Sequence, residues 1–488
     1  MDSTSFLFEN KGTKYGDPEV NIISGGKDLV VISDLHLAAG LNENGNYDGT
    51  ENFFADESFS RFLNYLQQEK KEKKCILIIN GDFIDYLRIK ELPLTDEDFK
   101  AWEDLLKIIG INKPWQELRD SLDDKEKEYG LKTQDYKSAW KLNKCINGHR
   151  VVFEELARWL RNGNQLIIIK GNHDLEWYWE AVRNCLCRRL TDFIAAIPVE
   201  TAGKIIPGSV EENILFADNS LIIDGKIYLA HGHLYENFTF AEGPPTLNNN
   251  TELKLPFGSF FNRYLINRLE LAYPFLDNVR PAKKILPLLL RERFPLAIKV
   301  LFKYLPFTLL IIPKKMYKQA LKYILNFLFI IVLPLAITIY ALWKSINFHG
   351  GSDNTSFIGT QLLGIVKNFG FLFLSYIFGR IMVMFQLTGP LTLFPFASRI
   401  FDNKPGIQIV VFGHTHNPEQ TKLADNIYIN TGTWMPVYDI SMADVRMDKT
   451  YSYLYIQQDV NGSLVSYELL RWNDDALRPE LMQLKDRK

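Results

Sequence analysis

The sequence predicts an α/β fold with a largely parallel sheet, and three observations predict it. Short apolar runs rich in β-branched residues recur along the 488 residues, as strands buried on both faces require. Amphipathic helical stretches separate the first of these runs, giving βαβ units with right-handed crossovers. Each run ends in Asp, Asn or His, usually beside a glycine, at the carboxyl end of a strand, where open α/β sheets place their sites.

Leu29-Val-Val-Ile32 is the first run and delivers Asp34 and His36. On an extended backbone these two side chains point to the same side, so they could grip one cation. Phe59, Phe62, Leu63 and Leu66 then recur at helical spacing. Cys75-Ile-Leu-Ile-Ile79 delivers Asp82 and Asp85, with Arg88 just beyond as a side chain that could meet phosphate. Residues 91–148 read as a polar helical insertion carrying Trp102, Trp115 and Trp140, either a cap over the site or packing. His149 opens the next helix and reads as a helix-start residue rather than a ligand. Gln165-Leu-Ile-Ile-Ile169 delivers Gly171-Asn-His-Asp174. Ser220–Ala230 reads as a hairpin turning at Asp224-Gly225 and ending in His231-Gly-His233. Ile407–Phe412 delivers Gly413-His-Thr-His416. Of eight histidines, six stand at these strand ends, which chance placement explains poorly and a metal site explains well.

The ordered set Asp34-x-His36, Gly81-Asp-x-x-Asp85, Gly171-Asn-His-Asp174, His231-Gly-His233 and Gly413-His-Thr-His416 resembles the calcineurin-like metallophosphoesterase superfamily, over roughly residues 28–235 and 405–470. The resemblance implies a four-layer αββα sandwich, two packed mixed sheets flanked by helices, with its catalytic domain in two parts, 28–240 and 405–472. It implies two divalent metal ions. Asp34, His36, Asp82 and His416 would hold the first, and Asp82, Asn172, His231 and His414 the second, with Asp82 bridging. Such oxygen and imidazole donors suit Mn first, then Fe or Zn, better than Ca. Hydroxide generated between the ions would attack phosphorus in line. His173 is expected to be catalytic, donating to the leaving oxygen or the developing charge, with Asp174 orienting its ring and Asp85 in an outer shell. His233 is expected as a ligand neighbour or substrate contact. The run Gly81–Leu87 and the long insertion before the last motif are similar to the UDP-2,3-diacylglucosamine pyrophosphohydrolase branch. His173 stands where that branch often has arginine, and His233 where it tends to have aspartate.

Lys plus Arg (56) nearly balance Asp plus Glu (58), a net charge of −2, so no global field points to nucleic acid. Four cysteines in so long a chain predict no disulfide framework and a reducing compartment, and the first residues lack the features of a signal peptide. Residues 250–400 read as an inserted hydrophobic helical membrane module. Residues 323–343 carry no charge between Lys322 and Lys344, long enough to cross a bilayer core of roughly 30 Å. A second candidate span, 357–387, is interrupted by Lys367 and Arg380. Site residues precede and follow the insertion, so the crossings must be even in number. Basic residues before the first span, Arg263 and Arg268 among them, suit helices lying on an anionic cytoplasmic leaflet. The expectation is therefore a hydrolase of the cytoplasmic membrane with its catalytic domain facing the cytoplasm. Membrane lipids are the expected partners, and a lipid-linked or amphipathic phosphoester or pyrophosphate the expected substrate. The alternatives are a tethered phosphoprotein or nucleotide phosphatase and a non-catalytic membrane-binding module.

Overall fold

The computed structural model describes residues 19–304 and 392–484, apart from 48–49, 70–72, 199–209, 237, 242, 248–249, 274–275, 277–278, 281–284, 440–443 and 446–449. Between 305 and 391 it describes only residues 307, 308, 312, 317, 321, 325 and 340. The chain divides into two compact units, Met1–Asn278 with Leu391–Lys488, and Val279–Pro390.

In the first unit, β1 (Val20–Ile22) and β2 (Asp28–Ile32) begin two different sheets. Then come α1 (Asp56–Glu69) and β3 (Cys75–Asn80). Four helices, α2 (Asp96–Ile108), α3 (Trp115–Asp120), α4 (Asp124–Tyr129) and α5 (Asp135–Gly148), precede α6 (Arg150–Arg161) and β4 (Gln165–Ile169). Beyond α7 (Glu180–Ala196), β5 (Ile214–Ala217) is followed by the hairpin of β6 (Ser220–Ile223) and β7 (Ile227–Ala230). That hairpin turns at Asp224 and Gly225, both at positive φ (53° and 67°), the mirror-image turn that matches strand twist.

Strands β2, β3, β4 and β5 pair in parallel, Val31 opposite Ile78 and Ile78 opposite Ile167. They read as continuous apolar runs because both faces are covered. Val30, Ile32, Leu77, Ile79, Leu166 and Ile168 face one core with α1, α5, α6 and α7. The alternate residues, Leu29, Val31, Ile76, Ile78, Ile167 and Ile169, face a second core shared with the other sheet. From that other sheet come Leu221, Ile223, Ile227 and Leu229, while Ile222, Tyr228 and Ala230 turn to a third core beneath the helix Phe394–Asn403.

The helical insertion before α6 is welded into the first core. Trp102 and Trp140 are buried there, and their indole N–H groups donate to the carbonyls of Tyr136 and Glu91, as buried tryptophans require. Helix α2 starts on a capping box: the Thr95 hydroxyl accepts the Asp98 N–H (3.2 Å) and the Asp98 carboxylate accepts that of Thr95 (3.0 Å). His149, between α5 and α6, is buried with Nδ1 2.9 Å from Asp56 and Nε2 3.1 Å from Glu51. Burial opposes its charge, but those two carboxylates outweigh it and raise the imidazole to about 9. An unfolded histidine titrates near 6.5. The ion triad's contribution, on the order of 3 kcal/mol, is thus fully present below pH 6.5 and lost as pH rises through 9. The gap in urea stability between wild type and His149→Gln is expected to narrow from pH 6 to pH 10, and a constant gap would contradict the assignment.

After β7 the chain runs through α8 (Phe257–Phe261), a π-helical turn and α9 (Asn267–Glu270). The second unit contributes α10 (Ile285–Glu292) and α11 (Phe294–Lys299), 8 and 6 residues long, the second with a proline in its first turn. The first unit resumes with α12 (Phe394–Asn403), β8 (Ile409–Phe412), β9 (Glu419–Leu423) and β10 (Asn426–Asn430). The hairpin β11 (Ser452–Gln458) and β12 (Leu464–Asn473), then β13 (Arg478–Leu481), close it. The two large sheets are a seven-stranded one ordered β13-β12-β11-β2-β3-β4-β5 and a six-stranded one ordered β1-β6-β7-β8-β10-β9, both mixed.

The fold expected from the sequence, a sandwich carrying a membrane module, is corrected to an α/β fold of two mixed sheets. Among the described residues no helix is long and apolar enough to cross a membrane. The two candidate spans lie outside the described residues, save for Leu325 and Tyr340. Two of the basic residues read as facing a leaflet, Arg263 and Arg268, are engaged within the first unit. Arg263 is buried and donates to the Gly130 carbonyl, and Arg268 pairs with Glu128 at 2.6 Å. The placement in a cytoplasmic membrane rested on the spans and is corrected with them.

Candidate metal centre

Five loops leave the carboxyl ends of β2, β3, β4, β7 and β8 and bring the sequence motifs together, three from one sheet and two from the other. The loops template one another through their backbones. Asp34 N–H donates to Gly81 O (3.1 Å), His36 N–H to Asp82 O (2.9 Å), and the Thr433 hydroxyl to Asp34 O (2.7 Å). Strand β2 ends at Ile32, so Asp34 and His36 do not share an extended backbone as expected. Both are left-handed instead, with φ of 54°, as are Asp82 (51°), His414 (67°) and His416 (55°). Each such residue costs of order 1–3 kcal/mol, a strain that collects at functional sites. Glycine is required where loops meet closely: a Cβ on Gly171 would lie 2.1 Å from Asp82 Oδ1.

Three groups of ligand-type atoms overlap here: Asp34, His36 and His416; His36, Asp82 and His173; and Asp82, His231 and His414. The Asp82 carboxylate is common to two of them. Its Oδ2 lies 3.0 Å from His231 Nε2 and 3.5 Å from His36 Nε2, while Oδ1 accepts the His173 N–H at 2.8 Å. Asp34 Oδ1 lies 3.1 Å from His416 Nε2. Asn172 Oδ1 is buried without a hydrogen bond, and Asp34 Oδ1 and His231 Nε2 meet His416 and Asp82 at 3.1 and 3.0 Å without hydrogen-bond geometry. Unpaired lone pairs converging in a dry site are costly, and a cation satisfies all of them. The donor set, carboxylate, amide oxygen and imidazole, thus fits divalent ions of the Mn, Fe or Zn kind.

The electrostatics follow. Burial opposes every charge, but His36 is pushed up to about 10 by Asp34, Asp85 and Asp82, and His231 up to about 9 by Asp82 and Asp34. Despite burial, the same histidines hold Asp34 and Asp82 well below the usual carboxylate range. Burial and the nearby histidines keep His233 neutral; it is buried beside His231, 5.5 Å between ring centres, with Nδ1 unbonded.

Two expected roles are reassigned. Asp174 does not orient His173. It accepts N–H groups from Gly171 (2.6 Å), Phe83 (2.8 Å) and the Trp177 indole (3.0 Å), and so ties two of the loops together. Asp85 holds the rings instead, its Oδ2 lying 2.9 Å from His173 Nδ1 and 3.2 Å from His36 Nδ1. Arg88 is not turned toward a phosphate. It is buried, with Nε 3.1 Å from Asp85 and Nη1 on Glu270 and on the Thr50 carbonyl. Glu236, which sequence reasoning missed, lies 2.6 Å from His414 Nε2. Its only signal is a carboxylate a few residues beyond His231-Gly-His233. No family model matches the chain, and a search of curated proteins returns no match.

Proposed function

We propose that the chain is a phosphoester hydrolase of the calcineurin-like metallophosphoesterase type, built on two divalent metal ions that share Asp82. The carrying observation is that the buried Asp82 carboxylate stands in one ligand group with His231 and His414 and lies 3.5 Å from His36 Nε2, which stands in another with Asp34 and His416, while Asn172 Oδ1 is buried beside them without a hydrogen bond. Asp34, His36, Asp82 and His416 would hold one ion, and Asp82, Asn172, His231 and His414 the other. When bound, such a pair polarises phosphoryl oxygens and makes a water acidic enough to attack phosphorus near neutral pH. Asp85 and the Asn80 carbonyl fix the His36 and His231 rings, so those donors need no reorganisation during reaction. His173, its Nδ1 committed to Asp85, keeps Nε2 to protonate or stabilise the leaving oxygen. The lipid-linked substrate expected from the sequence rested on the membrane spans together with the similarity of Gly81–Leu87 and the long insertion to one branch of the superfamily, and without the spans it is not carried forward.

The test is turnover of phosphomonoesters and phosphodiesters with added manganese, wild type beside His173→Gln. The variant is expected to lose about 10²–10⁴-fold in kcat while binding as much metal as wild type. Loss of metal together with activity would make His173 a ligand; metal-independent turnover would overturn the proposal.

A further inference from the structure

Metal-binding histidines gain orientation and basicity by donating their second ring N–H to a carboxylate or carbonyl. Two histidines of this centre do so through Nδ1: His231 to the Asn80 carbonyl at 2.9 Å and His36 to Asp85 at 3.2 Å. Each thereby keeps Nε2 for Asp82 Oδ2. His414 is reversed. Its Nε2 lies 2.6 Å from the Glu236 carboxylate, while its backbone N–H donates to Asp34 Oδ2 at 3.0 Å. With Nε2 committed, Nδ1 is the nitrogen left for an ion beside Asp82 and His231.

Glu236 is held for this task. The turn His233–Tyr235 lifts it off the His231-Gly-His233 motif, its N–H donating to His233 O at 3.2 Å. The Thr239 hydroxyl then spans the carbonyls of His233 (2.9 Å) and Glu236 (3.2 Å). We infer that Glu236 is a positioning residue for the ion held by Asp82, Asn172, His231 and His414. It accepts the Nε2–H of His414, fixes the tautomer whose Nδ1 carries the lone pair, and sharpens the affinity of that ion alone. The inference rests on the two-ion reading above.

The experiment titrates manganese(II) calorimetrically into the metal-stripped full chain. Wild type is expected to bind two ions. Glu236→Ala should weaken one by about 10–100-fold and leave the other unchanged. Glu236→Gln, which keeps an oxygen acceptor for the same N–H, should recover part of the loss. Equal thermal midpoints of the stripped proteins establish folding, and if the alanine variant fails that check the glutamine variant carries the test through an intermediate loss at one ion. Two ions bound with wild-type affinities by the variant that folds would overturn the role of Glu236. Failure of wild type to bind a pair of ions would instead overturn the two-ion reading, a different result from the same titration.

Discussion

Replacing Asp82 with asparagine is expected to abolish phosphoester turnover and to reduce bound metal from two ions per chain to at most one. Asparagine keeps the volume and one oxygen, which can still accept the His173 N–H that Asp82 Oδ1 now accepts at 2.8 Å. The loop geometry should therefore survive. What is lost is the charge of Oδ2, which lies between His231 at 3.0 Å and His36 at 3.5 Å. Charge stabilisation by a metal centre supplies several kcal/mol of transition-state binding, so a fall of at least about a thousandfold, roughly 4 kcal/mol, is the expected scale. Steady-state rates and elemental analysis on the same samples check it. Full metal content with full activity in Asp82→Asn would contradict the bridging role.

Arg88→Met should destabilise the fold by about 3–5 kcal/mol, the cost of removing one partner from a buried ion cluster. The guanidinium is 1% exposed and stands between Asp85 and Glu270, themselves 0% and 1% exposed. Methionine fills the space but takes the guanidinium from both Glu270 and Asp85, which stay buried. The double variant Arg88→Met/Glu270→Leu removes both ends of one pair and should recover much of the loss, because a buried ion pair is worth little more than an apolar isostere. Guanidinium unfolding midpoints decide the matter. Equal stability of wild type and Arg88→Met would show that Arg88 anchors nothing.

Strand positions were legible because a strand covered on both faces has no reason to be polar. Leu29–Ile32, Cys75–Ile79 and Leu166–Ile169 are apolar throughout, and each lies within β2, β3 or β4. The clustering of six histidines at strand ends was legible for the same reason: topology, not distance along the chain, brings His36 and His416 to 3.2 Å. What could not be read was orientation. Asp85 and Asp174 are alike in sequence, each a carboxylate closing a loop motif, yet one takes imidazole protons and the other backbone N–H groups. Arg88 looked available for phosphate because its partner Glu270 lies 182 residues away. The left-handed backbone at Asp34 and His36 follows from loop-to-loop hydrogen bonds, not from local propensity, which disfavours it. The basic stretch before the candidate spans was misread on composition: an arginine among leucines and phenylalanines reads alike whether it faces a leaflet or, like Arg263, donates to a buried carbonyl.

The central claim is that two ions share the Asp82 carboxylate. Electron paramagnetic resonance of the protein loaded with two equivalents of manganese(II) tests it most directly, because ions bridged by one carboxylate are magnetically coupled. The expected spectrum is that of an exchange-coupled pair in wild type, collapsing to isolated-ion signals in Asp82→Asn. Uncoupled manganese in wild type would contradict the shared site.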